Sequence, residues 1–397
     1  MAKRHNLMDE VMELEVFDTH THLIGEQLSA RDFWEIADYF WLSRELQAGG
    51  YPSNADKLPE QSRISAFLDA YDATRNTLMN IAFTRIFKDL YGIEIKDEAS
   101  VREADNAVRE TCRRHDWAQQ VADKLKVRRY VVNYPHHVSF AGMRDDAVLI
   151  PRIDGQLNDW VKRIADSSER SRTFAEAQDE LAQLIDTYHV MKCPGVMTTL
   201  PRYEAGSTEN YAITDAASRD QIMMRLLHCV CERVERRGML LQIFLGVERT
   251  WSKTAAAPAN DTERILKLYG LFERYSLPFE LVVASELNNM DVVQAAWNFP
   301  NVHVGGMWWY NFRTSTYRDS MQYRLEALPA HKNSLIVSDA RCIEWTYGKI
   351  VLVKKMVAEF LEDQLDKGWI DRETAIKVAK SWLYESALKR YGIGGSH

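Results

Sequence analysis

Apolar positions along the chain fall into two rhythms, and the change between them comes near Lys126. Before it, apolar side chains recur three and four apart, the spacing that lines one face of a helix. Within residues 31–47 they include Phe33, Ile36, Ala37, Phe40 and Trp41, and Gly49-Gly50-Tyr51-Pro52 supplies the stop. The same spacing predicts helices over residues 60–74, 77–91, 100–115 and 117–126, with no strand among them.

After Lys126, short β-branched runs alternate with long amphipathic stretches, the pattern of repeated βα units around a parallel sheet. The runs are residues 129–133, 147–150, 196–200, 239–243, 279–283, 302–304 and 334–337. The clearest helices between them cover 173–189, 215–237 and 261–275, and two more, 344–367 and 371–391, close the pattern. An opening strand at Val16-Phe17 brings the predicted strands to eight. Eight parallel strands with intervening helices close best as a (β/α)8 barrel of the TIM type. The alternative, an open doubly wound sheet, calls for a Gly-rich phosphate turn after the first strand, and the sequence has none there. The expectation is therefore α/β: a single barrel domain over residues 1–397, with a helical insertion at residues 26–126 after strand 1 on the catalytic face.

Catalytic groups of such barrels collect at the C-terminal ends of the strands. Strand 1 runs into Val16-Phe17-Asp18-Thr19-His20-Thr21-His22-Leu23. Alternate strand residues share a face, so His20 and His22 point the same way, about 7 Å apart along the backbone. Two neutral imidazoles converging there suit a divalent metal. In a chain with 11 histidines, His-x-His alone is a weak signal. Barrel closure strengthens it: strand 8 lies beside strand 1 and ends Val337-Ser338-Asp339-Ala340-Arg341, so Asp339 faces both histidines. Two histidines and one carboxylate leave room for water or substrate. One divalent ion is expected, with Zn²⁺ the default for such a set and Mn²⁺ and Fe²⁺ open.

Strand 7 ends Gly305-Gly306-Met307-Trp308-Trp309-Tyr310-Asn311, where glycines allow close backbone approach and Trp308 and Trp309 can wall a sugar-like ring. Strand 3 leads into Pro151-Arg152-Ile153-Asp154, and Arg152 and Arg341 are candidates to clamp a substrate carboxylate bidentately. Other groups carry less. His228-Cys229-Val230-Cys231 sits inside an amphipathic helix and reads as core plus surface. Lys192 is cut off from strand 4 by Pro194-Gly195, and His136-His137 read as a solvated loop. Strands 5 and 6 carry no histidine, which argues against a two-metal centre.

Composition narrows the partners. Hydrophobic residues make up 46% and charged residues 27%, ordinary for a soluble globular protein. A net charge of −7 without a long basic run argues against nucleic acid. No stretch approaches the ~18 apolar residues of a membrane span. Residues 1–15 are charged and lack the apolar core of a signal peptide, and five scattered cysteines read as reduced thiols of the cytoplasm.

Four pieces, Asp18-Thr19-His20-Thr21-His22-Leu23, Arg152-Ile153-Asp154, Gly306-Met307-Trp308-Trp309 and Ser338-Asp339-Ala340-Arg341, together resemble the amidohydrolase superfamily, and within it the uronate (glucuronate) isomerase family. Phe244-Leu245-Gly246 after strand 5 is a weaker fifth piece. The similarity follows a shorter, divergent branch of that family along nearly the whole chain. It implies a metal on His20, His22 and Asp339, Arg152 and Arg341 near the substrate, Trp308 lining the pocket, a place in carbohydrate metabolism, and self-association into a homo-oligomer. One departure stands out. Family isomerases carry an adjacent His-Tyr pair in the first inserted helix, whereas this chain has Asp38-Tyr39-Phe40-Trp41; Phe244 also stands where many members have His.

Two activities follow from the resemblance and its departures. The first is an aldose–ketose isomerase acting on a hexuronate or related sugar acid, with Asp339 and Tyr39 as proton carriers and the arginines on the carboxylate. The second is a mononuclear metal hydrolase or lyase on a small carboxylated substrate, in which Asp339 takes the proton of an acidified water. A sugar-acid binding protein without catalysis is a third possibility, and the intact His20, His22 and Asp339 speak against it.

Overall fold

The β-prone run that opens the chain forms β1 (Val16–Thr21), whose six residues are all buried. In chain order it is followed by β2 (Val127–Val132), β3 (Val148–Leu149), β4 (Gly195–Thr199), β5 (Leu240–Leu245), β6 (Val247–Arg249), β7 (Ala256–Pro258), β8 (Phe279–Val283) and β9 (Val302–Val304). The computed structural model describes residues 6–199, 212–249, 256–258, 263–308 and 311–393. The chain divides into two compact units: Met1–Tyr130, Val138–Ala147 and Ser338–Ala379 form the first, and Val131–His137, Val148–Val337 and Lys380–His397 the second.

The first unit holds β1 and the helical stretch that follows it. Predicted helices appear close to their expected bounds: Glu60–Ala73, Leu78–Ile86 with a π-helical turn Phe87–Tyr91, Glu98–Cys112 and Trp117–Leu125. Asp97 and Ser100 start the third of these as a reciprocal capping box. The helix expected over residues 31–47 is instead two helices, Phe33–Ala37 and Phe40–Ala48. Phe33 anchors them, with its ring 5.3 Å from Phe67, 5.8 Å from Phe83 and 5.3 Å from Phe87. The long helix Ile343–Asp366 is bound to this helical stretch through Glu344, which accepts hydrogen bonds from Ala30 N at 3.0 Å, Trp117 Nε1 at 2.9 Å and the Tyr91 hydroxyl at 3.2 Å.

The second unit carries the parallel ladder. Val131 pairs with Val148, Arg152 bridges Met197, and β4, β5, β8 and β9 follow in parallel order. Beyond β9 the expected strand over 334–337 is not formed as a regular strand; Asn333 bridges Val304, and Ser334 N donates to Val304 O at 2.9 Å. Helices Asp154–Ala165, Arg170–Val190, Arg219–Arg236, Asn289–Asn298 and Thr314–Ala327 separate the strands. The predicted helix over 261–275 shrinks to a 3₁₀ turn, Leu266–Leu268, and Tyr269–Arg274. The antiparallel hairpin of β6 and β7 has no counterpart in the sequence pattern.

This strand order and alternation with helices is that of a (β/α)8 barrel, carried by short ladders joined through isolated bridges. Among the described residues no helix is long and apolar enough to cross a membrane.

Candidate metal centre

Asp18 and His20 lie at strand parity in β1, and His22, one residue past its end, continues that parity. The expected neighbour is there. Asp339 N donates to His20 O at 3.0 Å and His22 N to Ala340 O at 2.8 Å, which sets the Ser338–Ala340 turn against the end of β1. Asp18 Oδ1 accepts from Ser338 N at 3.0 Å and ties the base of that turn.

Both imidazoles aim at one oxygen. His20 Nε2 lies 3.1 Å and His22 Nε2 3.0 Å from Asp339 Oδ1, with the two rings edge to face at 4.9 Å. His20 is 2% and His22 43% exposed at the side chain, so the cluster opens toward solvent on the His22 side. Ligand atoms of the three residues lie within 4.8 Å of one another. Burial would raise the Asp339 carboxyl, but hydrogen bonds and charge from His20 and His22 outweigh it and hold the group well below the usual carboxylate range. Two imidazole nitrogens and an ionised carboxylate oxygen pointing into one place are a donor set that fits a single divalent ion.

Asp339 is held from three further directions. Its φ of +52° is left-handed. Trp41 Nε1 donates to Oδ2 at 3.1 Å, and the Tyr39 hydroxyl donates to the Asp339 carbonyl at 2.7 Å. Lys349, inside the helix Ile343–Asp366, donates from Nζ to the Tyr39 hydroxyl at 2.8 Å and to Ser338 O at 2.5 Å, and lies 4.0 Å from the centre of the Trp41 ring. Burial pushes the Lys349 ammonium down to about 8 against the pull of Asp339 and Asp18. Burial pushes Asp18 up to about 6, opposed by Ser338 and Lys349. Tyr39 goes well above the ordinary phenol range, through burial and then the Asp339 charge.

The first unit thus brings together His20, His22, Asp339 and Tyr39 from the expected residues, and Arg341 follows as an exposed side chain two positions after Asp339. Arg152 and Trp308 belong to the second unit. Arg152 Nε binds Asp154 Oδ2 at 2.5 Å and its Nη2 binds Thr199 Oγ1 at 2.7 Å. Asp154 also accepts from Thr198 Oγ1 and Thr199 N, both at 2.7 Å, and from the Thr199 hydroxyl. Trp308 is buried and meets Phe244 edge to face at 4.9 Å, an aromatic pair at the position where a strand-5 histidine was absent. Trp309 lies outside the described residues.

Three residues of this centre escaped the sequence reading. Asp18 had a signal, its parity with His20 and His22. Trp41 lay in the stretch that departs from the family's His-Tyr pair, with nothing in the pattern to mark its contact with Asp339. Lys349 had none, being one apolar-flanked lysine in a long helix.

No family model matches the chain, and no curated protein matches it in sequence. Solved structures do match. The uronate isomerase of Thermotoga maritima superposes with a TM-score of 0.79 at 14% identity, over 97% of this chain and 96% of that one. The glucuronate isomerase of Caulobacter crescentus gives 0.78 at 13% identity, over 98% and 94%. A candidate metal-dependent hydrolase from Lactobacillus casei gives 0.61 at 13% identity, over 98% of each chain. At such identities these likenesses establish the fold, and it covers nearly the whole of this chain.

Proposed function

We propose that the chain is a metal-dependent aldose–ketose isomerase of a hexuronate or related sugar acid. The observation that carries this reading is the convergence of His20, His22 and Asp339 on one point, within a fold matched over 97–98% of the chain by a uronate isomerase and a glucuronate isomerase. His20, His22 and Asp339 would hold one divalent ion, Zn²⁺ by default, which supplies polarisation of the substrate's carbonyl and hydroxyl oxygens. Asp339 is the proposed carrier of the proton that leaves C2 and returns to C1. Tyr39, the other expected carrier, has its hydroxyl engaged with the Asp339 carbonyl and Lys349, and serves in this reading to hold Asp339. Arg341 and Arg152 are the proposed partners of the substrate carboxylate.

A specific observation favours a second reading, a hydrolase or lyase on a small carboxylated substrate. Trp41 and a fully engaged Tyr39 occupy the stretch where family isomerases carry His-Tyr, so no histidine is offered there.

Heavy water separates the two. Metal-loaded protein incubated with glucuronate and galacturonate in heavy water should place deuterium on carbon and form ketose. Absence of both across a panel of uronates overturns the isomerase, and turnover of lactones, amides or esters would then establish the second reading. Metal content tests the site itself: His20→Ala and Asp339→Ala should each strip the ion, read by elemental analysis of the purified protein. Unchanged metal in both variants overturns the ligand set.

A further inference from the structure

The helix break at Asp38-Tyr39 has a chemical consequence. The first helix ends at Ala37, Tyr39 takes φ −54° and ψ 130°, and the second helix begins at Phe40. Because the backbone is extended at Tyr39 and helical from Phe40, residues 39 and 41 both reach Asp339, one at its carbonyl and one at its carboxylate.

We propose that Trp41 is a positioning residue of the metal centre: its indole N–H occupies Asp339 Oδ2, so that Asp339 meets an ion through Oδ1 alone. This rests on the metal reading above. The carboxylate has two oxygens with different partners, and Oδ2 keeps a second lone pair for the proton that Asp339 is proposed to carry. Oδ1 faces both imidazole nitrogens at 3.1 and 3.0 Å, and Oδ2 accepts the indole hydrogen at 3.1 Å. A carboxylate whose second oxygen lacks a donor is free to turn and bind an ion with both; one held by a fixed N–H is restricted to a single tooth.

The indole is itself fixed. Lys349 Nζ sits 4.0 Å from the Trp41 ring centre and 4.9 Å from that of Tyr39, at the range where an ammonium is attracted to an aromatic face. The same ammonium binds Ser338 O, and through the Tyr39 hydroxyl it reaches Asp339 O, so two consecutive carbonyls of the ligand turn are pinned while φ of Asp339 is left-handed. Trp41 therefore fixes the carboxylate's rotation, and Tyr39 with Lys349 fixes its backbone. Single-tooth binding leaves more of the ion's coordination sphere to substrate oxygens, which is what either proposed reaction asks of it.

Cobalt titration of the full chain, followed by visible absorption, tests this directly. Wild-type protein should bind one Co²⁺, and Trp41→Phe, which keeps the ring and removes the donor, should weaken that binding by about 10–100-fold. Its absorption per bound cobalt should also fall, because a second carboxylate oxygen raises the coordination number. Trp41→Gln, which restores an N–H, should recover part of both. Circular dichroism of the metal-free variants confirms folding; if the Phe variant does not fold, Trp41→Leu carries the same expectation. A donor-free variant with affinity within about threefold of wild type and a superimposable spectrum overturns the inference and leaves the metal reading standing. A wild-type protein that takes up no cobalt overturns both.

Discussion

Asp339 shows how much of a site can rest on one backbone torsion. Its φ of +52° lies where a residue with a β-carbon pays about 1–2 kcal/mol, and where Asp and Asn are tolerated best because their short polar side chains bond locally. In the metal-free protein, Asp339→Asn should therefore be more stable than Asp339→Val by about 2 kcal/mol. Denaturant unfolding of the two variants reads the difference; equal stability of Asn and Val variants would show that the torsion is not what selects this residue. At this scale the sequence was informative where spacing has a geometric meaning. His20 and His22 follow from strand parity, and Asp339 from the adjacency of the first and last strands. Trp41 and Lys349 were not legible, because their role depends on a helix break and a helix face that apolar periodicity does not report.

Elements were legible in proportion to their length and regularity. The helices between β1 and β2 sit within a few residues of the apolar pattern, since each buries one stripe, around the Phe33, Phe67, Phe83 and Phe87 cluster or, for Trp117–Leu125, against the helix Ile343–Asp366. The pattern at 31–47 ran straight through Asp38-Tyr39, because an apolar stripe continues across a break when both halves face the same core. The expected strands over 147–150 and 334–337 are less regular than their apolar runs suggest: β3 has two residues and the 334–337 segment no regular ladder. The three-residue strand β9 carries a testable group. His303 stands between Val302 and Val304, opposite Glu280 in the ladder, with Nδ1 buried and without a hydrogen bond. Burial first, then the charges of Arg390, Lys332 and His331, push its pKa down to about 2 from 6.5. Below 6.5 the unfolded chain binds a proton that the folded chain refuses, so stability falls as pH falls, by at most about 1.4 kcal/mol per unit. Between pH 6.5 and 5 wild type should lose about 1.7 kcal/mol on this account, and His303→Gln should lack that part of the slope. Denaturation curves at several pH values compare them; identical slopes would mean His303 is protonated in the fold.

Over the whole molecule, 14% identity coexists with superposition along 97% of the chain, because a (β/α)8 fold asks only for apolar runs at the right intervals and chemistry at the strand ends. What it does not specify is how the chain's own C-terminal segment is secured. Within the second unit, Arg390 Nη1 binds Glu280 Oε1 at 2.7 Å and Ser334 Oγ at 3.3 Å. The Tyr391 hydroxyl donates to Glu280 Oε2 at 2.6 Å, and Gln242 Nε2 adds a contact at 3.2 Å. Both charges are enclosed, Glu280 fully and Arg390 to within 2%. Such a pair adds little net stability over a well-packed apolar replacement, yet removing one partner strands the other, at about 3–5 kcal/mol. Arg390→Met should therefore lower the calorimetric unfolding temperature sharply, since Glu280 keeps only neutral donors. Adding Glu280→Gln should recover most of that loss, because the stranded charge is gone while the amide oxygen still accepts from one of the two hydroxyls, Ser334 or Tyr391, that now donate to Glu280. If the double variant is as unstable as the single one, the loss belongs to the packing of the Arg390 stem and the enclosed charge pair is not what fastens this segment to β8.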